Sequence, residues 1–276
     1  MRGFALLAAS SLAALCAAQM DGSEYVKVDV GDGLIPSQTN SWLAAVVFKL
    51  EEGWHIYWKN PGDSGAPPEF KWTLPEGVMA GKVIWPAPRR IEAGGIVSYG
   101  YEGEVVLNVE MIVAKDFPSN KFIEYKLDVD YLVCKDLCLP GSAKLAGKLP
   151  FMGVNGIQSY YERFPKQAGP DSVTFAAKDD DITLTFTLPE TPKGEVKSAY
   201  FFPAAGAVLD HEAHQKWHLD GTKLILQVKR SRYATTPFSS VEGVLVLTWA
   251  EPGGSDSATR QMAIEYSKTK TQEKPE

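Results

Sequence analysis

The feature that most constrains this chain is a period of two in its apolar residues, repeated in run after run. "NSWLAAVVFKL" (40–50) places Trp42, Ala44, Val46, Phe48 and Leu50 on one side. "EVVLNVEMIV" (104–113) does the same with Val105, Leu107, Val109, Met111 and Val113. "FIEYKLDVDYLV" (122–133) repeats it with Ile123, Tyr125, Leu127, Val129, Tyr131 and Val133. Successive side chains of a strand point to opposite faces, so this spacing predicts strands with one buried and one wet face. In "GWHIYWKNPG" (53–62), Trp54, Ile56 and Trp58 alternate with His55, Tyr57 and Lys59 before the Asn60-Pro61-Gly62 turn, and His55 is read as facing water. Clusters of Gly and Pro separate the runs, which points to a β-sandwich.

From about Gly153 the alternation lapses. "GIQSYYERFPKQAGP" (156–170) predicts one short helix ending before Pro165, and it reads as a connector. Strands then resume in "DITLTFTLP", "SAYFFPA", "KLILQVKR", "GVLVLTWA" and "RQMAIEYS". Ile182, Leu184, Phe186 and Leu188 alternate with three threonines, as in a sheet with one wet face. The expectation is an all-β chain of two β-sandwich domains, over 19–152 and 171–267, joined by a short helical connector over 153–170. The tail "KTKTQEKPE" (268–276) is charged, has no apolar anchor and is expected to be disordered.

The start, "MRGFALLAASSLAALCAAQMDGSEY", has one Arg and an apolar run from Phe4 to about Ala18. That is too short to span a bilayer comfortably and ends in small residues, so residues 1–18 are read as a secretory signal peptide. Cys16 does not fit a lipoprotein signal, because Leu15 before it is bulky. No later run reaches 18 apolar residues, so no membrane span is expected in the mature chain. With a formal net charge of −6 and no basic stretch to neutralise phosphates, a nucleic-acid partner is not expected.

Of three cysteines, two remain after such a cleavage, and they sit together in "YLVCKDLCLPG" (131–141). In an oxidising compartment the Cys134/Cys138 pair is a staple, a metal clip or a reactive disulfide. As a staple it is weak. Closing a ring of about five residues contributes on the order of 2 kcal/mol, against roughly 4 to 5 for a 100-residue loop. A short, exposed ring suits a switch better, since such disulfides are the easily reduced ones. If the strand from Ile123 runs on, Cys134 shares the wet face with Glu124, Lys126, Asp128 and Asp130 and is presented outward. Lys135 would favour a neighbouring thiolate, whereas Asp136 would oppose it.

A zinc site wants four ligands, and no second cysteine pair exists. "HEAHQKWH" supplies His211, His214 and His218, which share a face only if helical; a polar surface segment is the simpler reading. No metal and no cofactor is therefore called for: there is no G-x-S-x-G elbow, and the glycines of "GGIVSYGYEG" precede a strand rather than a helix. Trp54, Trp58, Trp72 and Trp85 are assigned to the core.

"WHIYWKNPGDSGAPPEFKWTLPEGV", "WPAPRR", "YGYEGEVVL" and "YLVCKDLCLPG" together resemble the N-terminal periplasmic domain of the thiol:disulfide interchange protein DsbD, and still more its ScsB-type relatives. "AYFFPAAGAVLDHEAHQ" and "GVLVL" extend the resemblance into the second half. The resemblance implies an immunoglobulin-like sandwich whose redox-active pair maps onto Cys134 and Cys138, with Cys138 the residue joined to partners. It implies a periplasmic protein that takes electrons from a separate membrane reductant or a thioredoxin-like protein. It would pass them to periplasmic disulfide isomerases or to cytochrome c biogenesis proteins. It also implies a cap over the disulfide around Glu92 to Tyr99, with Tyr99 or Tyr101 supplying the aromatic. The alternative is a secreted binding or assembly module, for protein or copper, in which the disulfide is only structural.

Overall fold

A computed structural model describes residues 21–32, 41–117, 122–150, 164–169, 171–250 and 259–269. The expected leader with Cys16, the helical part of the connector and residues 270–276 of the tail lie outside them. Among the described residues the chain is built of strands, with a single 3-10 turn at Gly22–Tyr25. Ten strands form the first sandwich: β1 Val26–Asp32, β2 Ser41–Leu50, β3 His55–Gly62, β4 Glu69–Thr73, β5 Val78–Ile84, β6 Arg89–Ala93, β7 Ile96–Glu102, β8 Glu104–Val113, β9 Phe122–Cys134 and β10 Cys138–Pro150. Eight form the second: β11 Lys166–Gln167, β12 Val173–Lys178, β13 Asp181–Thr187, β14 Val196–Pro203, β15 Lys216–Asp220, β16 Lys223–Lys229, β17 Ser240–Ala250 and β18 Thr259–Thr269.

In the first sandwich a sheet ordered β1-β2-β8-β5 faces one ordered β10-β9-β3-β7-β6, with β4 also pairing β9. In the second, β11-β18-β17-β14 faces β12-β13-β16-β15. The architecture is the all-β, immunoglobulin-like pair of sandwiches expected. Val105, Leu107, Val109, Met111 and Val113 of β8 enter the first core together with Ile123, Leu127, Val129, Tyr131 and Val133 of β9. Ile182, Leu184, Phe186 and Leu188 enter the second. Trp58 is fully buried, and Trp54, Trp72 and Trp85 pack half-buried against the same core. Strand β18 runs on to Thr269, two residues into the stretch assigned to the tail.

The two sandwiches share an apolar seam. Along β14, β17 and β18 the side chains alternate between two destinations. Phe201, Leu245, Leu247, Met262 and Ile264 face the second core. Their neighbours Phe202, Val244, Val246 and Ala263 join the core of the first sandwich. A sheet buried on both faces reads as a continuous apolar run, which is why "GVLVL" lacks the polar alternation of β9.

Candidate redox site

Cys134 ends β9, Cys138 begins β10, and the two are cross-strand partners closed by a disulfide with a Cα–Cα distance of 4.1 Å. Residues Lys135 to Leu137 form the hairpin tip, drawn tight by the Lys135 amide donating to the Leu137 carbonyl at 3.4 Å. The tip is exposed: Cys138 faces solvent, and Leu137 is 58% accessible beside it. The Lys135 ammonium leans away to the Glu52 carbonyl at 3.4 Å.

Cys134 is not presented outward as strand parity predicts; it is only 2% accessible. The parity of β9 holds as far as Val133. What changes is the covering of its outer face. At this end β3 pairs with β9, His55 opposite Cys134. Directly opposed residues of an antiparallel pair point to the same side, so His55 and, two residues on, Tyr57 stand on the face where Cys134 would otherwise meet water. The Tyr57 hydroxyl donates to Cys134 Sγ at 2.8 Å and lies 3.2 Å from Cys138 Sγ. Burial pushes the Tyr57 pKa up while hydrogen bonds from Ser64 and Ser98 pull it down, the net shift being upward. It is therefore protonated, and a donor, at neutral pH.

His55 also departs from its expected place in water. It is 5% accessible, its ring stands edge-on to Tyr57 at 5.2 Å, and its Nε2 is buried without a hydrogen-bond partner. Burial holds its pKa below the usual imidazole range, with the Glu102 charge working in the opposite sense. Both residues were missed as site candidates because only β3–β9 register brings them to the cysteines; period-two spacing within one strand carries no register between strands.

The cover over Tyr57 is the connection from β3 to β4, not the hairpin around Glu92 to Tyr99. Gly65, at φ +91°, lies flat on the Tyr57 ring, where any Cβ would overlap it. Tyr99 hydrogen-bonds Tyr200 at 3.0 Å, and Tyr101 donates to the Pro86 carbonyl at 2.8 Å, so neither hydroxyl turns to the disulfide. Gly94 and Gly95, at the β6–β7 turn, stand in open space. Beside the hairpin lies a groove of about 630 Å³ lined by Ala66, Pro67, Leu132, Pro140, Gly141 and Ser142, with Asp21, Glu69 and Asp130 also in its lining.

The three histidines of "HEAHQKWH" are not brought together. His211 is buried against the first sandwich, while His214 and His218 are exposed, because residues 211–215 run as irregular chain rather than a helix and His218 lies in β15. Among the described residues no group of three or more His, Cys, Asp or Glu is placed to hold a metal ion, and no helix is long and apolar enough to cross a membrane.

This geometry has relatives. The N-terminal periplasmic domain of ScsB from Proteus mirabilis superposes with a TM-score of 0.59 at 19% identity, covering 89% of this chain and 95% of that one, a likeness of fold. A protein of unknown function from Porphyromonas gingivalis W83 aligns at 11% identity over 87% of this chain and 98% of its own, but its TM-score of 0.23 carries no argument. No curated protein matches. The family model of the thiol:disulfide interchange protein DsbD, N-terminal, matches residues 25–150, the whole span that holds Tyr57, Cys134 and Cys138. Residues 25–150 are thus similar to the N-terminal domain of the thiol:disulfide interchange protein DsbD.

Proposed function

We propose that this protein passes electrons between a reductant and protein disulfides in the periplasm through Cys134 and Cys138. One observation carries the reading: the two sulfurs of a single bond have opposite environments, Cys138 open at the hairpin tip and Cys134 buried under a hydroxyl donor.

Attack follows access. A thiolate of a reduced partner approaches Cys138 Sγ in line with the S–S bond. A new partner–Cys138 disulfide forms, the Cys134–Cys138 bond breaks, and its electron pair leaves on Cys134 Sγ. Tyr57, already donating to that sulfur, stabilises the departing thiolate without moving. The partner's second thiolate then attacks its own sulfur in the mixed disulfide and releases Cys138, leaving the partner oxidised and this pair reduced. Towards a substrate the steps reverse: the Cys138 thiolate opens the substrate disulfide, and Cys134 resolves the mixed disulfide.

Thioredoxin-like proteins and disulfide isomerases are the partners proposed, with a separate membrane protein as reductant. Exposed Leu137 and the groove along Pro140 to Ser142 give such a partner an apolar contact and a seat beside the reactive sulfur.

The test is the reduction potential of the pair, obtained by equilibrating the protein in glutathione buffers and trapping thiols. A value of roughly −270 to −120 mV is expected, and one below about −300 mV would mark a structural bond and end the exchange reading. A Cys134→Ser variant should in addition accumulate partners disulfide-bonded to Cys138.

A further inference from the structure

The second sandwich carries no cysteine, yet it reaches the disulfide through one turn. Where β3 leaves the sheet, Asn60 is almost fully buried and donates to the Pro203 and Ala205 carbonyls of the second sandwich at 2.8 and 3.2 Å, while its own oxygen accepts the Gly62 amide. Three residues on, Asp63 splits its carboxylate. Oδ2 accepts the Val97 amide at 3.3 Å, and Oδ1 lies 3.0 Å from Nδ1 of His211, which is 4% accessible. His211 is itself held in place, its carbonyl accepting from Arg90 and its ring standing against Tyr99 at 4.9 Å. Ser64 then reaches Ser98, and Gly65 lies on Tyr57, whose hydroxyl touches both sulfurs.

We propose that the second sandwich clamps the disulfide's cover: His211 and the Pro203 and Ala205 carbonyls hold the Asn60–Gly65 turn closed over Tyr57, and so keep Cys134 out of reach while Cys138 stays open. Asp63 and His211 are positioning residues, acting on Cys134 only through Gly65 and Tyr57. Their role makes exchange one-ended, so that incoming thiols meet Cys138 and not its partner. The significance of the clamp rests on the exchange reading, but its test does not.

The test is site-resolved alkylation of the reduced full-length protein with N-ethylmaleimide, quenched at intervals and mapped by mass spectrometry. In the wild type Cys138 reacts and Cys134 lags. Asp63→Ala and His211→Ala, made separately, should each raise the Cys134 rate by about tenfold, the effect of losing one buried hydrogen-bonded contact on a local opening. Cys138 should stay within about twofold on the same grounds, since its exposure does not depend on the turn. Asp63→Asn, whose amide can satisfy both Val97 and His211, should keep Cys134 protected. The double alanine variant should exceed neither single one appreciably, because both remove the same contact. An unchanged Cys134 rate in folded Asp63→Ala protein would overturn the clamp, and so would parallel acceleration of both cysteines, which signals general loosening. Should His211→Ala fail to fold, Asp63→Ala and Asp63→Asn decide the matter. A pair that glutathione buffers cannot reduce, with Cys134 protected, would defeat exchange and leave the clamp standing, whereas an exchangeable pair with Cys134 unprotected would do the reverse.

Discussion

The two sandwiches use the same strand chemistry to opposite ends. In the first, β9 keeps one face wet along most of its length, with Glu124, Lys126, Asp128 and Asp130 in solvent, and closes into a hairpin whose tip is free to meet other molecules. In the second, β17 is buried on both faces, Leu245 and Leu247 in its own core and Val244 and Val246 in its neighbour's. One strand ends in the disulfide hairpin and the other joins the two sandwiches. A hairpin can be reactive at its tip because its body is anchored elsewhere, and the seam supplies part of that anchor.

The sharpest way to break this contrast is to charge the seam. Val246→Asp places an unpaired carboxylate where the first core receives β17, and should cost on the order of 3–5 kcal/mol in urea unfolding. A cost near zero would mean that the sandwiches are held only by polar contacts. Next in size is the disulfide itself. Replacing both Cys134 and Cys138 by Ser should lower stability by about 2 kcal/mol, as expected for a five-residue ring, while removing all exchange. A loss of 4 kcal/mol or more would make the bond a staple after all.

Smaller again is Tyr57→Phe, which keeps the ring under Gly65 but removes the donor to Cys134 Sγ. The rate of reduction by a small dithiol should fall about tenfold, the size of one hydrogen bond to a developing charge. An unaltered rate would leave Tyr57 as a mere cover. Smallest is the acid response of His55. Burial lowers its pKa in the folded protein, so on acidification the unfolded chain takes up the proton first. Stability should therefore fall as the pH drops below about 6.5, down to the pH at which the buried imidazole itself becomes protonated. Melting curves from pH 7.5 to 5.5 check this, and His55→Gln should flatten the slope.

Much of this was legible before any coordinates. Period-two spacing found β2, β3, β8, β9 and β13, and apolar runs between turn residues found β14, β16, β17 and β18. Short or irregular strands escaped it: β4, β6, β11 and β15 have at most five residues each, too few for alternation to stand above chance. The reading of Cys134 as outward-facing failed for an instructive reason. Parity correctly named its side of β9 but could not tell that β3, from a segment 77 residues away, covers that side with Tyr57.

The sequence by itself determined the strand class, the two-sandwich plan, the single cysteine pair and, by resemblance, its kinship with interchange domains. These depend on local spacing and on residue identity, which a one-dimensional string records in full. Only the tertiary structure decided which sulfur is open, that Tyr57 and His55 stand over the other, and that Asp63 meets His211 across 148 positions. Those facts depend on register between distant strands and on how two cores share a seam, and such long-range pairings leave no periodic mark on the chain.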